Sequence, residues 1–164
     1  MAMESLQDLY VEQLKDLYSA ETQIMKALPK MADAAQHPEL KNGFEQHLQQ
    51  TREHVKRLEQ IFDRLGESPR GHHCKGMEGL LKEGEEMLHV TADSDVKDAG
   101  LIAAAQRVEH YEIAGYGTVR AFADRLGHTE HARLLQETLD EEGATDHRLT
   151  AMADRVVNID AAKD

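Results

Sequence analysis

Residues 101–117 decide the fold, and they read LIAAAQRVEHYEIAGYG. The stretch is apolar enough to be a buried helix, yet it carries Glu109 and Glu112 three positions apart. Because a helix advances about 100° per residue, the two carboxylates lie on nearly the same face. Inward carboxylates repel each other and lose hydration, and a bound cation removes both penalties. The stretch therefore predicts a helix with a metal site on its buried face.

The composition favours an all-α protein. Of the 164 residues, 40% are hydrophobic and 30% are charged, while aromatic residues make up only 4%. A sheet protein usually carries more aromatic and β-branched residues, whereas Ala, Leu, Glu, Gln, Lys and Met are good helix formers. The length is sufficient for one compact domain with a sizeable core, so we expect residues 1–164 to form a single domain.

Charge and cysteine content restrict the expected partners and compartment. The net charge is -12, and no run of Lys and Arg is long enough to follow a phosphate backbone, so no nucleic-acid partner is expected. The single cysteine, Cys74, excludes an intramolecular disulfide and is typical of a reducing cytoplasm. No export signal and no apolar stretch of about 20 residues is present, which predicts a cytoplasmic protein without a membrane partner.

Amphipathic periodicity divides the chain into four long helices and one short helix. Stop signals at His37-Pro38, Gly66 and Gly127 separate them. The predicted helices span about residues 4–36, 38–65, 77–90, 94–126 and 129–158. Tight links make the first two and the last two long helices antiparallel hairpins. Residues 66–93 are long enough to cross the bundle between them, which predicts a ferritin-like antiparallel four-helix bundle with a fifth, short helix in the crossover.

Each long helix carries polar residues that interrupt its apolar stripe near the middle. Mid-helix positions meet at one level in an antiparallel bundle, and carboxylates and histidines from four helices at one level are typical of a two-metal centre. On the second helix His54 follows Gln50 by four residues and His47 by seven. The candidate ligands are Glu21, Gln50, His54, Glu109, Glu112, Glu142 and Asp146.

A metal-free interpretation stays open for these residues. A single inward Glu is more often an ion-pair partner than a ligand, and Arg107, Arg148 and Arg155 are available to pair with the carboxylates. The run His72-His73-Cys74 lacks a second ligand pair at zinc spacing, so we expect a polar loop there. We expect His110 and His131 at the surface or in an interface.

Five segments carry a family resemblance that covers nearly the whole chain. They are LYSAE at 17–21, HLQQT at 47–51, CKGMEGL at 74–80, AAAQRVEHYEIA at 103–114 and LDEE at 139–142. With these segments the sequence resembles the YciF-type stress proteins, a bacterial branch of the ferritin-like proteins. The resemblance implies a ferritin-like domain, a role in the stress response and a homodimer.

The family is similar to rubrerythrin-type bundles, and this similarity implies a two-metal site. Glu21, Glu109, Glu112 and Glu142 would be its carboxylate ligands, with Asp146 where rubrerythrin-type proteins place a histidine. The family commonly has a carboxylate where this chain has Gln50, and this difference raises the question of one ion or two. His54, one turn on, can still coordinate.

The ligand types suit iron, and also manganese or zinc. A peroxidase, ferroxidase or manganese-catalase-like reaction with peroxide or dioxygen is an open alternative to a structural role. The sequence assigns no catalytic residue and no cofactor besides the metal.

Overall fold

The computed structural model of the protein describes residues 3–163, which fold into helices and connecting turns. The prediction of an all-α protein is confirmed, because the described residues contain no strand. The elements are α1 (Leu6–Ala34), α2 (Pro38–Leu65), α3 (Lys75–His89), α4 (Ser94–Arg125), α5 (Thr129–Met152), a π-helical turn (Ala153–Val157) and α6 (Asn158–Ala161).

Several helices begin or end at residues other than the predicted ones, because local hydrogen bonds set their ends. α1 begins after Ser5, whose hydroxyl accepts a hydrogen bond from the backbone N–H of Asp8, and it continues through Pro29. α3 starts two residues earlier than predicted because the Cys74 sulfur accepts a hydrogen bond from the backbone N–H of Met77. The predicted last helix is three elements, since α-helical hydrogen bonding changes to π-type after Met152.

The helices pair as two antiparallel hairpins joined by a crossover. α1 packs mainly against α2 and α4 mainly against α5, while α3 lies on α1 and α4. Gly115 allows α1 and α4 to approach closely, because a Cβ at this position would lie 2.7 Å from Cδ2 of Leu17. The predicted topology of two hairpins with a helical crossover is therefore confirmed.

The core consists of two apolar layers with a polar layer between them. One apolar layer contains Leu14, Leu58, Phe62, Tyr116 and Leu135, and the other contains Ile24, Leu28, Phe44, Ile102 and Leu149. The polar layer comprises the buried residues Glu21, His47, Thr51, His54, Glu109, Glu112, Thr138, Glu142 and Thr145.

The polar layer takes at least one residue from each of α1, α2, α4 and α5. The helices thus bring polar side chains from distant parts of the sequence to one level of the bundle. Among the helices of residues 3–163, none combines the length and the apolar character that crossing a membrane requires.

Candidate metal centre

Six buried side chains of the polar layer have the geometry of a metal site. One group joins His47, Glu109 and Glu112 to Glu142, and a second joins Glu21 and His54 to the same Glu142. Within each group the potential ligand atoms lie within 4.8 Å of one another. We refer to the six residues as the His/Glu cluster. The arrangement has the form of two adjacent sites that share one carboxylate.

His54 is oriented by a carboxylate behind it. Its Nε2 lies 2.8 Å from Oε2 of Glu141, and Arg57 holds both oxygens of Glu141 at 2.8 Å. A neutral ring with its proton on Nε2, donated to Glu141, would present the lone pair of Nδ1 to the cluster. Nδ1 lies 2.9 Å from Oε1 of Glu142 and 3.2 Å from Oε1 of Glu21. An imidazole held from behind by a carboxylate is the usual arrangement of a metal-binding histidine.

His47 provides the corresponding nitrogen of the other group. Its Nε2 lies 3.1 Å from Oε1 of Glu109 and 3.8 Å from Oε2 of Glu142. Neither contact has the alignment of a hydrogen bond, and both ring nitrogens of His47 are buried without a hydrogen-bond partner. The imidazole therefore faces the carboxylates at close range without neutralising them through hydrogen bonds.

Unsatisfied polar atoms are concentrated in the His/Glu cluster. Among the described residues, ten buried side-chain nitrogen and oxygen atoms lack a hydrogen-bond partner, and nine of them belong to the cluster. Both oxygens of Glu112 and both oxygens of Glu142 are among the nine. Buried polar atoms without partners cost free energy, and native structures contain few of them. Coordination of a cation in each group would satisfy most of these atoms, with one ring nitrogen from each histidine.

Tyr116 fixes one carboxylate of the cluster. Its hydroxyl donates a hydrogen bond of 2.5 Å to Oε1 of Glu21, and its ring is fully buried beside His54. Oε2 of Glu21 keeps no hydrogen-bond partner. The tyrosine thus orients Glu21 and leaves one oxygen free for a ligand.

Burial and mutual repulsion change the proton affinities of the cluster. Burial raises the pKa of Glu109 to about 7 and that of Glu142 to about 8. Burial, and then the charges of Glu142 and Glu21, raise the pKa of Glu112 well above its usual value. Burial opposes protonation of His54, but the surrounding carboxylates outweigh it and raise its pKa to about 12. The ion-free cluster therefore retains protons near neutral pH, and a cation would displace them.

Comparisons with known proteins agree with this fold. Residues 5–162 match a family described as a domain of unknown function, DUF892. The chain belongs to this family. It is 43% identical to Protein YciF of Escherichia coli K12 over 159 residues, which is 96% of each chain.

Solved structures resemble the chain over nearly its whole length. The crystal structure of the E. coli stress protein YciF matches with a TM-score of 0.92 at 43% identity, covering 95% of this chain and 99% of that one. YcfI of Rhodopseudomonas palustris matches with a TM-score of 0.87 at 44% identity, covering 90% and 94%. A two-domain protein of Anabaena variabilis with a ferritin-like domain matches with a TM-score of 0.62 at 18% identity, covering 94% and 38%. The predicted YciF-type resemblance and ferritin-like fold are thus confirmed.

The structure brings together five of the candidate ligands predicted from the sequence. These are Glu21, His54, Glu109, Glu112 and Glu142. It adds His47, which the sequence analysis placed on the inner face of α2 without selecting it as a ligand. The signal for His47 was its seven-residue spacing from His54, because seven residues return to within about 20° of the same helix face.

The other two candidate ligands lie at the margins of the polar layer. Oε1 of Gln50 is 3.5 Å from both Oγ1 of Thr145 and the guanidinium of Arg148. Oδ1 of Asp146 accepts a hydrogen bond of 3.2 Å from Gln106. Neither residue belongs to either ligand group, so the cluster reaches four carboxylates without a contribution from Gln50.

The arginines available to pair with the carboxylates under the metal-free interpretation have other contacts. Arg107 is exposed, and Arg155 lies 3.4 Å from Glu39. Arg148 donates a hydrogen bond of 2.8 Å to Thr145. Within residues 3–163, therefore, none of these three cations is paired with the cluster.

His131 and His110 differ in their surroundings. His131 is buried, contrary to the expectation of a surface or interface position, because its ring packs against the rings of His128 and Tyr10 and its Nδ1 lies 3.2 Å from the Tyr10 hydroxyl. His110 is exposed as expected, with Nε2 3.2 Å from Oδ2 of Asp146.

The segment His72-His73-Cys74 ties the crossover to the bundle. The Cys74 sulfur is buried 3.0 Å from the Tyr111 hydroxyl and 3.2 Å from Oδ2 of Asp16. His72 lies between Glu12 and Asp16. Among the described residues the segment belongs to neither metal-ligand group, and its contacts anchor the start of α3.

Proposed function

We propose that this member of the family binds two divalent metal ions in the His/Glu cluster. The observation that carries the proposal is that six buried residues in two groups around Glu142 hold nine nitrogen and oxygen atoms without hydrogen-bond partners. The nitrogen and oxygen ligands suit iron, and manganese or zinc are the alternatives.

The charge of the cluster supports two ions over one. Glu21, Glu109, Glu112 and Glu142 carry four negative charges when ionised, and two divalent ions carry four positive ones. With a single ion, two of the carboxylates would have to keep their protons or stay charged without compensation, whereas two ions use all four as ligands. Each group also contains one histidine, so each ion would have a nitrogen ligand and at least two carboxylates, with Glu142 shared.

Surrounding residues would prepare the site for metal chemistry. Two bound irons would supply electrons for the reduction of peroxide or dioxygen, and we propose this chemistry as the basis of a role in stress response. Glu141 and Arg57 hold the His54 ring in its binding orientation, and Tyr116 holds Glu21. The apolar layers on both sides keep the six residues of the cluster buried. A homodimer, implied by the family resemblance, stays a prediction.

Metal titration of the purified chain tests the proposal. Chelator-treated protein would be loaded anaerobically with Fe²⁺, and separately with Mn²⁺ and Zn²⁺, and the bound metal measured by elemental mass spectrometry. We expect about two ions per chain, and a Glu142→Gln variant should lose most of both because the shared ligand is gone. Asp140→Asn, an exposed position on α5, serves as the matched control. Folded protein that retains none of the three metals would overturn the proposal.

A second measurement addresses reactivity. Iron-loaded protein would be mixed anaerobically with hydrogen peroxide, and its absorbance followed. Oxidation of the bound iron at a rate well above that of free Fe²⁺ supports the redox part of the proposal. A bound but unreactive metal would instead favour a structural role for the ions.

A further inference from the structure

A cavity beside the polar layer ends at the His/Glu cluster. Its volume is about 230 Å³, and His47 and Glu109 form part of its lining. Most of its wall is apolar and comes from α1, α2, α4 and α5. The principal apolar residues are Ile24, Leu28, Phe44, Val108, Leu149 and Met152.

Among the described residues, the outer rim of the cavity carries an arginine that contacts no acidic side chain. Glu39, Arg148 and Arg155 line this rim, and Arg155 lies 3.4 Å from Glu39. Arg148 has different contacts: within the described chain its guanidinium has only the neutral side chains of Thr145, at 2.8 Å, and Gln50, at 3.5 Å, as side-chain partners. In a chain with a net charge of -12, an arginine free of carboxylates is a natural partner for an anionic group.

We propose that the cavity binds a medium-chain carboxylate, with the head group at Arg148 and the hydrocarbon chain along the apolar wall towards His47 and Glu109. The lining matches both parts of such a molecule. A dry apolar cavity of about 150 Å³ holds benzene. By that scale, the space here takes a chain of about eight carbons.

The inference gives the chemistry of a molecule bound beside the proposed metal centre, and in that respect it rests on the proposed function. The end of the hydrocarbon chain would lie next to His47 and Glu109, two members of the same ligand group. Binding of the carboxylate itself requires no metal, because Arg148 and the apolar wall supply the contacts. The two proposals can therefore fail separately.

Octanoate binding to chelator-treated protein is the direct test. Calorimetry should give saturable binding with one octanoate per chain. Each buried methylene strengthens binding about fourfold, so butanoate should bind at least 30-fold more weakly. Arg148→Gln should weaken octanoate binding about tenfold or more and leave 1-octanol binding unchanged, since the alcohol lacks the charge.

Two further variants keep the test specific. Ala105→Leu places a larger side chain on the cavity wall and should abolish binding of both octanoate and 1-octanol, with circular dichroism as the check on folding. Arg133→Gln changes an exposed arginine on the same helix as Arg148 but away from the cavity, and should bind octanoate like the unchanged protein.

Each outcome decides the inference. Absence of octanoate binding, or binding that neither Arg148→Gln nor Ala105→Leu alters, overturns it. The same holds if sedimentation shows that a second copy of the chain covers this face and excludes octanoate. Octanoate binding without metal binding would leave the cavity assignment standing and remove the metal centre. Metal binding without octanoate binding would leave the metal centre standing and remove the cavity assignment.

Discussion

Nε2 of His54 lies 2.8 Å from Oε2 of Glu141, on the side of the imidazole that faces away from the cluster. Glu141 belongs to neither ligand group, yet it fixes which nitrogen of His54 faces Glu21 and Glu142. The orientation of His54 can therefore be tested separately from metal ligation, because Glu141 can be substituted without substituting any residue of the cluster.

Glu141→Ala should weaken metal binding about 10- to 100-fold, because a metal-binding histidine loses affinity without the carboxylate that orients it. Competition with a chelator indicator dye measures the change. Glu137→Ala is the matched control, since Oε2 of Glu137 lies 3.5 Å from the same Arg57 but Glu137 is not a hydrogen-bond partner of His54. Equal affinities for the two variants would rule out the positioning role.

The stability of the metal-free protein should fall as pH rises from about 5 to 8. The native pKa of Glu109 is raised from 4.5 to about 7 and that of Glu142 to about 8, so the folded state binds more protons than the unfolded state in this range. The pKa of His54 is also raised, so His54 adds to the loss of stability at pH values above the ordinary pKa of histidine. Glu109 alone contributes about 3 kcal/mol, which lowers the melting temperature by roughly 5–10 °C.

Metal should reverse this pH dependence. Bound ions require the same groups to release their protons, so metal affinity and the melting temperature of loaded protein should increase with pH. Differential scanning calorimetry at pH 5.5 and pH 8, with chelator and with metal, gives the four melting temperatures needed. Parallel slopes with and without metal would contradict ligation by these carboxylates.

Glu112→Gln should stabilise the metal-free protein and impair metal binding. The amide has nearly the same shape but pays no cost for losing a charge on burial, so the free energy of unfolding should rise by about 2 kcal/mol or more at pH 8. The gain should shrink steeply towards pH 5 and nearly vanish only below about pH 4, where the carboxyl is neutral in both the folded and the unfolded state. Chemical denaturation measures it, with exposed Glu83→Gln on α3 as the control. A loss of stability at pH 8 would argue that Glu112 is already neutralised by another contact.

Substitutions at two glycines of α4 test the helix packing around the polar layer. A Cβ at Gly115 would lie 2.7 Å from Leu17, whereas nothing lies within 4 Å of a Cβ at Gly117. Gly115→Ala should therefore destabilise the protein by up to about 2 kcal/mol, because overpacking costs about 1–3 kcal/mol and the gain in helix propensity offsets about 1 kcal/mol. Gly117→Ala should stabilise it by about 0.5–1 kcal/mol through helix propensity. Thermal unfolding of both variants decides the point, and the expected effects have opposite signs.

Much of the fold was predictable because helical periodicity and connection lengths are local properties. The 101–117 stretch, the stop at Gly66 and the long crossover each point to the same bundle. The π-helical turn was not predictable, since residues 153–157 carry no distinct sequence signal and adopt it within an otherwise helical segment.

Positions in the polar layer were predictable only to within a fraction of a helical turn. Gln50 precedes His54 by four residues and Asp146 follows Glu142 by four, and a four-residue step overshoots a full turn by about 40°. That rotation takes Gln50 towards Thr145 and Asp146 towards Gln106, at the edges of the layer. His47 lies a nearly whole number of turns from His54 and faces the centre. Such differences depend on how neighbouring helices pack, which a single sequence does not contain.

Anomalous diffraction from crystals of iron-loaded protein, measured on both sides of the iron edge, tests the two-ion site most directly. We expect two peaks per chain inside the bundle, one beside His47, Glu109 and Glu112 and the other beside Glu21 and His54, with Glu142 between them. An iron-loaded crystal without a peak at the His/Glu cluster, or with lysine or arginine side chains paired to its carboxylates, would contradict the account.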